Sequence, residues 1–384
     1  MAADFIPYSR QEISEADIAA VVEVLRSPWL TTGPAVAAFE EAFTSHLGGG
    51  HAVAVCNGTA ALHTAMFAIG IGPGDEVILP PMTFSATANA VLYQGGTPVF
   101  ADVLPDTLLI DPARVEEKIT PATKAIVAVD YAGAPCDYNA LRAIAERHSL
   151  VLVADACHSL GGSYHDRPCG TLADISAFSF HPVKPITSAE GGMVVTERAD
   201  WAERMRRFRN HGLDSDHRSR AEAGIWQYRM VELGFNYRLT DLQCALGLSQ
   251  LQRLEDWTAR RRALAERYRR QLAALPEARP LAVTAGGESA WHLFVVRVPE
   301  RDRIFPYMRD HGIGVNVHYT PVHLHPYYRQ RLGTGEGLCP VAEASFGEIL
   351  SLPIFPGLGE SDQDRVIATL TAALAAEAAP PSVS

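Results

Sequence analysis

Between residues 51 and 197, short apolar runs alternate with segments of helical periodicity, and this alternation constrains the fold more than any other feature. HAVAVC (51–56), EVILPP (76–81), PVFAD (98–102), AIVAVD (125–130), VLVADA (151–156), ISAFSF (175–180) and GMVVTE (192–197) read as strands. Segments 59–69, 85–94, 112–119 and 138–148 read as helices, the third with proline at its first position. Strands this continuously apolar are covered on both faces. Repeated strand–helix units build a mainly parallel sheet with right-handed crossovers. The expected fold class is therefore α/β, with a mainly parallel mixed sheet flanked by helices.

Two helices precede the alternation. Ser14 caps 15–27, where Ile18, Val21, Val22 and Leu25 share a face, and Pro28 stops it. A turn-rich loop (29–34) leads to a helix through Phe39, Ala42, Phe43 and Leu47, ended by three glycines. After the alternation, 244–275 reads as one long helical stretch with Ala245, Leu248, Leu251, Leu254 and Trp257 on a stripe. The run Arg260-Arg261-Arg262 is expected on its solvated face. Strands at 293–299 and 315–321 and helices at 304–311, 341–350 and 362–375 suggest a smaller α+β domain. The expected division is 1–245, with an N-terminal segment able to pack on the small domain, and 246–384. The tail 379–384 is expected to be disordered.

At 384 residues the chain predicts roughly two domains. Its net charge of −11, from 33 basic and 44 acidic residues, argues against a nucleic-acid binder driven by phosphate contacts. Cys56, Cys136, Cys157, Cys169, Cys244 and Cys339 form no CxxC pair. They read as free thiols in a reducing compartment, with no disulfide frame and no metal site, and Cys157 reads as a core residue. No apolar run approaches the ~20 residues needed to cross a bilayer. The N-terminus MAADFIPYSRQE lacks a basic head and an apolar run, so no signal peptide is expected and the cytoplasm is the expected location.

Chemistry gathers where strands end. SAFSFHPVKPITSAEGG (176–192) starts as a strand and breaks into a loop with Lys184 between Pro182 and Pro185. Proline fixes φ and cannot continue a ladder, so the lysine sits on a stiff bend. Open α/β sheets place ligands at the carboxyl ends of strands. Lys184 there reads as a nucleophile for a carbonyl cofactor, or as a surface-loop lysine. CNGTAAL (56–62) is a strand–turn–helix whose free N–H groups suit a phosphate, or an ordinary capped helix start. It is neither a Walker loop nor a dinucleotide fingerprint, which counts against NTPase and nicotinamide chemistry. Asp155 ends an apolar strand and needs a cation or donors. A protonated pyridine nitrogen would serve, with His158 in support; a helix cap and a core histidine are the plainer readings. In PPMTFSATANA (80–90), Phe84 can stack on a ring or pack in the core, and Thr83 can donate a hydrogen bond. Together an anion cradle, a carboxylate, a flat aromatic and a lysine supply what pyridoxal 5′-phosphate (PLP) needs.

The order NGTAAL, PPMTFSATAN, VADACHS, SFHPVKPITSAEGG and LGFNYRLTDLQCALGLSQL (233–251) resembles the fold-type-I sugar aminotransferases of the DegT/DnrJ/StrS group. The likeness runs from SRQEISEADI and LTTGP to HYTPVHLHPYY (318–328). Within the group the lysine segment looks most like the 4-aminotransferases of pseudaminic acid biosynthesis. These act on UDP-4-keto-6-deoxy-N-acetyl-β-L-altrosamine with glutamate as donor. Some members of the group carry histidine for the lysine and act as dehydratases; Lys184 implies transamination. Cys157-His158 stands where the wider group more often has alanine-glutamine.

The resemblance implies roles. Lys184 would bond the cofactor covalently and move protons, and Asp155 would hold its ring nitrogen. Gly58, Thr59, Ala60 and Ser179 would bind its phosphate, Phe84 would stack on its ring, and His158 would sit beside it. Asn236 would reach the phosphate from a second subunit, making a homodimer with shared sites. Trp29, Thr31, Thr32, Gly33, His181, Tyr319 and His323 would face the nucleotide-sugar. Other acceptors remain open on this reading, GDP-4-keto-6-deoxymannose and cyclitols among them, as does a non-catalytic protein on the same fold.

Overall fold

The computed structural model describes residues 5–216, 218, 220 and 223–376. Its main sheet has seven strands: β1 (His51–Val55), β2 (Glu76–Leu79), β3 (Thr97–Phe100), β4 (Thr123–Val129), β5 (Val151–Asp155), β6 (Ile175–Ser179) and β7 (Gly192–Thr196). They lie in the order β1-β7-β6-β5-β4-β2-β3. β7 is antiparallel to β1 and β6, and the other pairs are parallel. All strands but β7 therefore point one way, and their carboxyl ends share one edge. Residues 125–128 of β4 and 152–154 of β5 are fully buried, which is why these strands read as unbroken apolar runs. Each such Val, Ile or Leu contributes about 1.5–3 kcal/mol by leaving water.

The helices that matter for the site are α1 (Glu15–Arg26), α2 (Pro34–Leu47), α3 (Gly58–Ala68), α4 (Ala86–Tyr93), α5 (Pro112–Glu117), α6 (Tyr138–His148), α7 (Ala199–Phe208), α8 (Asp241–Leu251) and α9 (Leu254–Leu272). Nearly every residue of α3 is buried, as its all-round apolar sequence requires. A second core joins Leu264 and Tyr268 of α9 to Phe294, Ile304, Met308, Leu350 and Val366, and Ile6 enters it by pairing with Ile313. It is built on a small sheet of β8 (Arg279–Pro280), β9 (Phe294–Arg297) and β10 (Ile349–Leu352).

Four expectations need correction. The stretch 244–275 is two helices, broken between Leu251 and Leu254. Asp17 of α1, fully buried, accepts bonds from Ser249 (2.7 Å), Gln250 (2.8 Å) and Arg253 (2.8 Å), which pins the corner. Arg261 is not on the solvated face. It is 2% exposed, and its guanidinium donates to the carbonyls of Trp291 (3.2 Å) and Ile354 (2.9 Å). Segment 315–321 is not a strand; only Asn316 pairs, with Ser351. Finally, 341–350 divides into a helix, Pro340–Phe346, and the start of β10. Asp102 caps that helix, accepting from the N–H groups of Val341 (2.8 Å) and Ala342 (3.0 Å). The tail 379–384 lies outside the described residues.

Candidate active site

A cavity of about 540 Å³ opens at the shared carboxyl edge of the strands, roofed by segment 316–319. Lys184, Asp155, Gly58, Thr59, Ser179, Phe84, His158, His181 and Tyr319 all line it.

The lysine loop is closed at its base. The Phe180 N–H donates to the Gly191 carbonyl (2.8 Å), and the Phe180 carbonyl accepts from the Ser188 N–H and Thr187 hydroxyl, both at 3.0 Å. Lys184 lies on the far bend, its N–H donating to the His181 carbonyl (2.9 Å). Below, Phe178 and Phe180 pack edge-on against Phe43 of α2, with ring centroids 5.1 and 5.7 Å away. Burial pushes the Lys184 pKa down; Cys157 and Asp155 oppose this, and burial prevails. An amine that sheds its proton easily can act as nucleophile and base.

Asp155 is 6% exposed. One carboxylate oxygen accepts from the Thr87 hydroxyl (2.7 Å), itself bonded to the Thr83 hydroxyl (2.7 Å). The other has only a long contact from the Cys157 N–H (3.3 Å), which leaves it able to take a further donor from the cavity. The first N–H groups of a helix have no intrahelical partner. In α3 Asn57 satisfies that of Ala60 (2.8 Å), leaving Gly58 and Thr59 to present theirs to the cavity; Ala60 does not line it. A Cβ on Gly58 would lie 2.7 Å from Ser179 Cβ and 3.0 Å from its Oγ, so only glycine brings the helix end this close to β6.

His158 Nε2 is 3.1 Å from the Tyr319 hydroxyl, and its ring lies 4.4 Å from that of His292, centroid to centroid. Burial, reinforced by the Lys184 charge, holds His158 and His292 well below the usual histidine range and pushes His318 down to about 3. These rings stay neutral around the amine. Phe84 stands at the mouth, 59% exposed. Cys157, expected in the core, lines the cavity.

Other expected site residues fall elsewhere. Thr31, Thr32 and Gly33 line a second groove of about 730 Å³, with Arg206, Arg207, Arg209 and Arg238. Trp29 packs beneath Gly33. Asn236 is exposed, paired with Asn210, and does not line the lysine cavity of its own chain. His323 is corrected: it is fully buried, its Nε2 2.8 Å from Glu343, in the 3-10 turn Val322–Leu324. Sequence reasoning missed Tyr8, Thr87, His292, Asn316 and His318 in the lining. Thr87 was findable, one helical turn beyond Thr83 and after a strand end. The others arrive through long-range packing and leave no local signal.

The cavity fits PLP on its donor set: an amine of lowered pKa, a carboxylate with spare acceptor capacity and an open helix N-terminus. The sheet and the site define a fold-type-I PLP-dependent aminotransferase of sugars. The chain belongs to the DegT/DnrJ/EryC1/StrS aminotransferase family, whose profile matches residues 11–371. It is 41% identical over 371 residues to the spore coat polysaccharide biosynthesis protein SpsC of Bacillus subtilis, covering 94% of this chain and 95% of that one. It is similar in structure to the putative sugar aminotransferase Spr1654 of Streptococcus pneumoniae in its PMP form, with a TM-score of 0.91, 33% identity, and 96% and 99% of the two chains covered. It is also similar to Helicobacter pylori PseC, an aminotransferase of pseudaminic acid biosynthesis, with a TM-score of 0.90, 33% identity and the same coverage. Among the described residues no group of side chains could hold a metal ion, and no helix is long and apolar enough to cross a membrane.

Proposed function

We propose that the enzyme moves an amino group from L-glutamate to the C4 keto group of a nucleotide-linked 4-keto-6-deoxy sugar, UDP-4-keto-6-deoxy-N-acetyl-β-L-altrosamine being the favoured acceptor. The observation that carries this reading is the convergence of Lys184, Asp155 and the Gly58–Thr59 helix start on one cavity. PLP bound there supplies an electrophilic carbonyl and an electron sink. Lys184 would hold it covalently, and when free its Nζ would take up and return the proton that amino transfer requires. Asp155 keeps the ring nitrogen protonated, steadied by Thr87. Gly58, Thr59 and Ser179 hold the phosphate. Phe84 would stack on the ring and His158 would sit beside it, oriented by Tyr319 from the cavity roof. His181 faces the sugar at the mouth.

The enzyme works as a symmetric dimer on this reading. Asn236 reaches the phosphate of the partner subunit, and Thr31, Thr32 and Gly33 meet the nucleotide-sugar there. Support comes from the exposure of Asn236 and of the apolar residues before it, Trp226 (82%), Met230 (62%) and Leu233 (71%), which a second copy would cover. Six free cysteines support a cytoplasmic setting. Residues 1–245 and 246–384 serve as its large and small domains.

Likeness to PseC supports the altrosamine acceptor. The higher identity to SpsC, a protein of spore coat polysaccharide biosynthesis, keeps other acceptors such as GDP-4-keto-6-deoxymannose in view. Purified enzyme with PLP and glutamate is offered each keto-sugar, and products are read by mass. The altrosamine precursor is expected to be aminated fastest. Amination of only another acceptor replaces the substrate, and no amination of any removes the reading.

A further inference from the structure

Asp130 follows β4 as Asp155 ends β5, and the two meet at the carboxyl edge: the Asp130 N–H donates to the Asp155 carbonyl at 3.1 Å. Asp130 is wholly buried. Its carboxylate accepts from the Cys136 N–H (3.0 Å), the Tyr138 hydroxyl (3.0 Å) and the Ser159 hydroxyl (2.6 Å). None of the ion pairs among the described residues involves it. The titratable groups that face it are Asp155 and Cys157 on the β5 turn, Cys136 and Tyr138 beyond its own loop, and Cys169, which follows the short strand pair Ser163–Tyr164 and Arg167–Pro168. All are acids, and none brings a positive charge.

A buried carboxylate beside a second carboxylate, with no cation, is costly to hold ionised. A chain that needed only an acceptor for the Cys136 N–H and the Tyr138 hydroxyl and a tie to Ser159 could use asparagine. What asparagine cannot supply is charge, and Asp155, which Asp130 adjoins, faces the cavity where a cationic ring nitrogen is expected.

We propose that Asp130 is a positioning residue acting through Asp155, its buried negative charge strengthening the hold of Asp155 on the protonated ring nitrogen of the cofactor. This rests on the role given to Asp155 above. Its hydrogen bonds keep the charge in place: three donors favour the ionised form against burial. Without a cation, burial and Asp155 raise the Asp130 carboxyl to about 7, and the three donors only partly offset this. Above that pH the carboxylate is charged and helps hold the ring nitrogen; below it the aid fades.

The test uses holoenzyme loaded with PLP carrying ¹⁵N in the ring, comparing wild type, Asp130→Asn and Asp155→Asn by ¹⁵N NMR across pH, with PLP affinity measured alongside. Asp130→Asn keeps the size and most hydrogen bonds. It is expected to lower the ring-nitrogen titration by about one pH unit and weaken PLP about tenfold. Wild-type affinity rises with pH through about 7 more steeply than that of Asp130→Asn, which keeps only the rise due to Lys184 losing its proton. Ser159→Ala removes one donor but leaves the carboxyl, so it moves the ring-nitrogen titration the same way as Asp130→Asn and by less. An unchanged titration in folded Asp130→Asn overturns the inference, as does an equal shift in Ser159→Ala. If Asp130→Asn does not fold, Tyr138→Phe is read instead: losing a donor favours the protonated carboxyl, so the ring-nitrogen titration moves down, and no movement overturns the inference. If Asp155→Asn also leaves the titration unmoved, the role of Asp155 itself fails.

Discussion

The lysine cavity and the arginine-lined groove are built on opposite plans. In the cavity, polar groups are held in chains: Asp155 by Thr87, Thr87 by Thr83, His158 by Tyr319, and the lysine loop by its own closure. Its charges are few, and burial keeps His158, His292 and His318 neutral. The groove is wider and mixes guanidinium groups with acids, Arg209 against Glu40 and Arg207 against Glu203 and Glu232. Among the described residues Arg238 is held only by Asn210 (2.7 Å), and its pKa is lowered by burial and by Arg209. Beside it runs an exposed apolar segment. The difference teaches that the fold of one chain sets the buried groups around the lysine, whereas the groove and the apolar segment beside it stay open at the surface.

The largest effect expected from this contrast is in the cavity. Lys184→Ala should abolish turnover, by about 10³-fold or more, with circular dichroism unchanged. Retained transamination would take Lys184 out of the chemistry. Next comes complementation. An Asn236→Ala chain mixed with a Lys184→Ala chain should regain part of the activity, because one composite site per heterodimer is whole. No recovery, with heterodimers shown by native mass spectrometry, would place Asn236 outside the partner's site and blur the contrast.

A smaller effect is expected at the cradle. Gly58→Ala forces a methyl into Ser179 at 2.7 Å, and PLP affinity should fall about tenfold to a hundredfold while the groove is untouched. Equal affinity, measured by fluorescence titration, would mean that α3 can retreat without loss. The mildest is a pH effect. Lys184 must be neutral to take a proton, and burial lowers its pKa, so the rate of proton transfer should rise with pH as the amine is freed and fall as pH drops through that depressed value. His318, down at about 3, should add no inflection between about pH 5 and 8. A histidine-like inflection that disappears in His318→Asn would show a charged ring beside the amine.

Much of this was legible in the sequence because it is local. The seven strands show as apolar runs, and the 138–148 helix has the predicted bounds because Asp137 caps it and Ser149, in the left-handed region, ends it. Lys184 and Asp155 stand out because prolines and a strand end mark them. What the sequence hides is set by distant contacts. Arg261 sits in a run that reads as a charged face, yet three carbonyls from two remote segments enclose its guanidinium. His323 looks exposed between prolines, but Glu343, twenty residues on, draws it inward. His292 lies at the start of an apolar run that reads as strand, and only tertiary packing lays its ring on His158.

The most direct test of the central claim is borohydride reduction of the PLP-loaded enzyme followed by peptide mapping. Lys118, Lys124 and Lys184 are the chain's only lysines, so the question has three answers. The phosphopyridoxyl group is expected on Lys184 alone. Its appearance on Lys118 or Lys124, with Lys184 unmodified, would contradict the account.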